Sequence, residues 1–305
     1  MSDEEFQNAL DQYEQDAESR RRDILQTLEQ EPPDVVQSVD MTTVVLTMNP
    51  KMLPHEDIDA EVLLGTIEEK FHLNIDPPEV LSHVREISEA SDWSKLEILK
   101  FALRQKDVDF SRGRVSIGRN SYVSITAVSV TSEKILVMVD GRTEIGEYVA
   151  AEVFEAMWRA AGAPKRWESR EVQENVQLKS YGTLTRVNLG CDLLTLLAPS
   201  FVGFLNSNLR DGMAAEMISR SSHDSFAAPA DVVSTFNVDE LDFKVNVFDQ
   251  RTGRAEQSMI KLSVMNRDDM GRGVFNFFTE LPTELHFELV ERMASVVQQE
   301  RDKRA

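Results

Sequence analysis

Two short groups of residues come nearest to chemistry. Asp140 closes the apolar run Ile135 to Val139, and Glu174-Asn175-Val176-Gln177-Leu178-Lys179 sets an acid and a lysine on an extended segment. Carboxylates at strand ends can hold a metal ion while a neighbouring ammonium meets a phosphate, which is the chemistry of a metal-dependent hydrolase or nuclease. Against it, a whole helical segment separates Asp140 from Lys179, and a polar strand with alternating faces accounts for the same letters. His55-Glu56-Asp57-Ile58-Asp59 gathers one imidazole and three carboxylates. Acids in a first helical turn, however, complement the helix dipole with no ion present.

The remaining candidates are weaker. None of His55, His72, His83, His223 and His286 has a second His or Cys at zinc-like spacing, so no metal site is expected. There is no nucleophile elbow, phosphate loop or dinucleotide fingerprint, so no cofactor is expected and the balance leans away from an enzyme. Cys191, the one cysteine, sits beside an apolar run and reads as an inert core residue. It excludes an intrachain disulfide framework and fits a reducing compartment.

Charge gives a broader constraint. The 53 acids and 33 bases leave a formal charge of -20, and a field of that sign repels phosphate backbones, so nucleic acid is an unlikely partner. Arginines gather where turns are expected: Arg112, Arg114 and Arg119, then Arg142, then Arg251 and Arg254, then Arg267 and Arg272. A rim of such residues on an acidic body would suit a carboxylate-rich partner or the acidic face of a second copy. Exposed turns also accept charge for no further reason.

The elements that must position these residues follow from periodicity. Residues 3–30 carry apolar positions at near-heptad spacing, among them Phe6, Leu10 and Tyr13, which predicts a long N-terminal helix and a possible interaction arm. Pro32 and Pro33 end it. Val35 to Met48 is β-branched and strand-like. A helix is expected from Asp57 to Phe71, and Ser94-Lys95-Leu96-Glu97 is a capping box opening another that runs to about Gln105. Tyr122 to Val130 and Ile135 to Val139 read as central strands, followed by a helix over 147–161 stopped by Gly162 and Pro164. Val176 to Leu189 reads as a strand broken at Tyr181-Gly182. A meander over Phe243 to Phe248, Met259 to Met265 and Val274 to Phe278 then leads into a helix from Pro282-Thr283, with a frayed end at residues 300–305.

The expected fold is therefore α+β, mostly antiparallel sheet with amphipathic helices packed on one face. Its expected parts are an N-terminal helix over 1–30, a subdomain over 35–163 and a second over 176–299, with strand-turn-helix succession around 35–71, 122–161 and 243–298. No run reaches the roughly 20 apolar residues that a bilayer needs, and the acidic N-terminus is no signal peptide, so a soluble, cytoplasmic protein is expected. The function expected from these features is a non-enzymatic protein-binding or assembly role with self-association, through the N-terminal helix and Arg142, Arg251, Arg254 and Arg272. The alternative is a metal-dependent hydrolase or nuclease using Asp140, Glu174 and Lys179.

Overall fold

A computed structural model describes residues 31–49, 53–77, 93–117, 121–162, 176–191, 193, 197, 240–249, 254–264 and 272–304. In chain order its elements are β1 (Val36–Met48), α1 (Ala60–Phe71), β2 (Asn74–Asp76), α2 (Lys95–Gln105), β3 (Asp107–Ser116), β4 (Tyr122–Thr131) and β5 (Lys134–Val139). They continue with α3 (Thr143–Ala160), β6 (Val176–Asn188), β7 (Glu240–Asp249), β8 (Arg254–Ser263), β9 (Val274–Thr279) and α4 (Thr283–Arg304).

The sheet has nine strands in the order β2-β3-β4-β5-β1-β6-β9-β8-β7. This corrects the expected fold class. The architecture is one large antiparallel sheet with four described helices. The expected helix over 1–30, with Phe6, Leu10 and Tyr13, lies outside the described residues. The reason for the miss is physical: alternation marks each strand singly, whereas strand order depends on which distant strands pair.

The expected threefold succession also changes form. Outward from the middle of the sheet, the order is β1-β5-β4-β3 in one direction and β6-β9-β8-β7 in the other. Val36 and Val176 open β1 and β6, Lys134 and Val274 open β5 and β9, and Thr143 and Thr283 open α3 and α4; each pair is 140 residues apart. What recurs is a strand, later a three-strand meander, then a helix; in the first copy α1, β2 and α2 lie between the strand and the meander. Burial follows the same spacing in the last strand of each meander, at Ile135, Val137 and Val139 against Phe275, Phe277 and Thr279. In β1 and β6 it slips by one residue, Thr42, Val44 and Leu46 answering to Thr183, Thr185 and Val187.

Contacts divide the chain into two compact units: residues 1–32, 39–185 and 279–287, and residues 33–38, 186–278 and 288–305. In the first unit, β5 alternates buried and half-buried positions, and its buried Ile135, Val137 and Val139 join Val44 and Leu46 of β1 in the core. The antiparallel registers set Val44 opposite Val137 and Val128 opposite Val137 on the other side. Helix α3 lays Val149, Val153, Phe154 and Met157 into that core. It packs so closely that a Cβ on Gly146 would stand 2.7 Å from Val44 Cγ2. Helix α2 forms as its capping box requires: Ser94 Oγ accepts from the Glu97 N–H and Glu97 accepts from the Ser94 N–H at 2.8 Å. In the second unit Leu262, Phe275, Phe277, Val290 and Val297 are buried. Helix α4 runs on to Arg304, past the expected fraying point, and β6 is continuous through Tyr181-Gly182.

Gly113 in β3 lies under the chain that links α1 to β2. A Cβ there would meet Leu73 Cδ2 at 2.5 Å and the Phe71 carbonyl oxygen at 2.7 Å. Backbone cannot yield as a flexible side chain can, so Gly113→Ala is expected to destabilise the protein by about 2–3 kcal/mol. Urea denaturation measures this, and an unchanged midpoint would contradict the packing.

Candidate functional site

Two clusters of polar side chains stand out, both inside the first unit. The first surrounds the starts of α3 and α4. Arg142 precedes α3 and makes no side-chain cap hydrogen bond to it. Instead the Thr143 N–H donates to Thr283 Oγ1 and the Thr283 N–H donates to Thr143 Oγ1, each at 3.0 Å, with the two hydroxyl oxygens 3.2 Å apart. Each helix therefore has one of its orphan N–H groups satisfied by the threonine that opens the other. These are the two residues related by the 140-residue spacing, which ties the repeat to a specific buried contact.

Around this pair, His286 is fully buried. Its Nδ1 lies 2.8 Å from Thr279 Oγ1 and its Nε2 2.7 Å from Thr185 Oγ1. Burial pushes the imidazole down to a pKa of about 4, so at neutral pH the ring donates to one hydroxyl and accepts from the other. Thr183 Oγ1 donates to the Leu281 carbonyl at 2.7 Å. The Arg142 guanidinium carbon is 5.3 Å from the centre of the Phe287 ring. Desolvation pulls the Arg142 pKa below its ordinary value, and Glu144 and Glu284 oppose that pull. The chemistry of this buried cluster is that of a structural joint.

Lys179 donates to Glu147 Oε2 at 3.2 Å, and the Tyr181 hydroxyl donates to Glu147 Oε1. Burial, then Glu147, holds that phenol above its ordinary range. Asp140 Oδ1 accepts from Thr126 Oγ1 at 3.0 Å. Lys179 and Asp140 thus have different partners, and Glu174 lies outside the described residues. No group of three metal-ligating side chains occurs among the described residues.

The described arginines lie in different surroundings. Arg112 and Arg114 lie within β3, not in a turn; Arg112 takes a left-handed φ of 55°, and Arg114 stacks over Tyr122 at 5.0 Å. Arg142 is buried, and Arg272 is exposed. Arg119, Arg251 and Arg267 lie outside the described residues, and of Arg254 only the backbone, opening β8, is described. No described helix is long and apolar enough to cross a membrane.

The second cluster was legible only in part. Its sequence signal was the acidic group at 55–59, where Asp59 proves to be the N-cap of α1, accepting from the Glu61 and Val62 N–H groups at 2.9 and 3.3 Å. Beside it opens a cleft of about 510 Å³ whose titratable lining residues are His55, Glu56, Asp59, Lys100, Arg104 and Lys106. Three of these six are basic residues on or just after α2. Lys100 and Arg104 stand one helical turn apart, so both side chains rise from the same face. No motif search would find them, because they meet the 55–59 loop only through folding.

No known family model matches this chain, and no curated protein or solved structure shows significant similarity to it.

Proposed function

We propose that this chain is a non-enzymatic protein-binding or assembly protein that self-associates, and that β7 is the strand through which it does so. The observation that supports this reading is the outer position of β7. It is ten residues long, pairs with β8 from Glu240↔Ser263 to Asp249↔Arg254, and has no second neighbour among the described strands. The strand at the opposite end of the order, β2, has three residues.

A long outer strand carries a row of backbone N–H and C=O groups suited to pairing with another strand, and proteins that avoid such pairing shorten or blunt it. β7 is not shortened. It carries an exposed Phe243, 45% accessible, next to the exposed Lys244. Its acids are engaged sideways: Lys261 of β8 lies 2.8 Å from Glu240 and 3.9 Å from Asp242. A second copy is the fitting occupant, because two β7 strands meeting across a twofold axis satisfy each other and close the assembly. A reducing, cytoplasmic setting belongs to the same reading.

Light scattering over a concentration series tests it. The expected result is a dimer that dissociates on dilution, with Phe243→Lys raising the dissociation constant at least about tenfold, or about 1.4 kcal/mol. A monomer at every concentration, or a dimer indifferent to Phe243→Lys, would contradict it.

A further inference from the structure

The cleft beside α1 is independent of β7. Ion pairing leaves it a net cationic face. Glu56 is taken by Lys106, whose Nζ lies 2.8 Å from Glu56 Oε1 and holds that carboxyl below its ordinary range. Asp59 is taken by the N–H groups of α1. Glu97, the acid that interacts with Lys100, is engaged in the capping box of α2. Lys100 and Arg104 form no ion pair among the described residues. The dipole at the end of α2 accounts for cations at Arg104 and Lys106. It does not account for Lys100, more than a turn further in.

In a chain of formal charge -20, an ammonium and a guanidinium rising from one helical face into a concave site are the donors that recognise a phosphate or carboxylate group. The cleft also has an apolar side. Ile58, Ala60 and Leu103 line it, and its volume falls in the range of small-molecule sites, well beyond the needs of a bare oxyanion. His55 forms part of the wall; its Nδ1 is 3.1 Å from the Leu53 carbonyl and its Nε2 has no hydrogen-bond partner.

We propose that this cleft binds a small phosphate monoester, its phosphate held by Lys100 and Arg104 and its organic part lying against Ile58 and Leu103. Lys106 stays with Glu56 at the rim and adds long-range attraction.

The test uses the full chain, titrated at constant ionic strength with glycerol phosphate, inorganic phosphate and sulfate, and read by isothermal titration calorimetry and amide chemical shifts. The expected result is saturable binding of glycerol phosphate, with shifts concentrated at residues 55–60 and 100–106. Arg104→Ala with Lys100→Ala should weaken it at least tenfold while leaving the ligand-free melting temperature unchanged. Absence of saturable binding would overturn the proposal, as would equal binding by the double variant. Inorganic phosphate or sulfate binding as tightly as the ester would overturn the assignment of an organic part.

Discussion

Replacing Lys70 with methionine is expected to lower stability by about 3 kcal/mol. Lys70 on α1 pairs with Glu152 on α3, and the two side chains differ sharply in burial, 31% and 4% accessible respectively. Removing the lysine leaves a carboxylate inside the helix layer with its principal counter-charge gone. The desolvation already imposed on Glu152 then has nothing to offset it. The partial exposure of Lys70 lets water reach the pair and keeps the loss at the low end of the range for buried pairs. Lys70→Met together with Glu152→Leu should recover most of the loss, because an apolar pair of similar volume needs no desolvation. Chemical denaturation of the three variants measures this. A single variant as stable as the parent, or a double variant no better than the single, would contradict the account of the pair.

Acidification is expected to weaken the fold through His286. Its folded pKa of about 4 lies below the ordinary histidine value of 6.5, so below pH 6.5 the unfolded chain binds a proton that the folded chain refuses. Stability from this group is whole above pH 6.5, declines as pH falls, and is lost by about pH 4. The full shift corresponds to about 3 kcal/mol. His55, also held below its ordinary value by burial, acts in the same direction. Carboxylates titrate in the lower part of this window, so the comparison is with His286→Asn, which cannot be protonated there. Between pH 7 and 4.5 the parent should lose clearly more stability than His286→Asn. Parallel pH profiles would show that His286 accepts its proton without penalty between Thr185 and Thr279.

Both effects arise from residues whose importance was invisible in the sequence. Lys70 and Glu152 are ordinary charged residues on two helices, and only the packing of α1 against α3 makes one of them interior. His286 lacks any partner at metal-binding spacing, and its two threonines come from β6 and β9. The elements were far more legible. The capping box at Ser94-Glu97 and the left-handed cap at Lys106 bound α2 where local chemistry says they should. β-Branched and apolar runs marked β1, β4, β5 and β9 nearly to the residue. Helix α3 began four residues earlier than expected, at Thr143, because its first N–H group is satisfied by Thr283, 140 residues away. Such a cap cannot be read locally.

The repeat shows the same division. A succession of strands and helices was visible, but not its true period, since the two copies retain burial pattern and spacing more than residue identity. Thr143 and Thr283 are the plainest trace of it. They are single residues, and their correspondence emerges only when α3 and α4 are seen to begin against each other.

Hydrogen exchange at the amides of β7, followed from dilute to concentrated protein, tests the proposed self-association most directly. Strand pairing through β7 requires amides of Glu240–Asp249 that face away from β8 to become protected as concentration rises, with those of β5 unchanged. Exchange along β7 that stays the same across the concentration range would contradict the account.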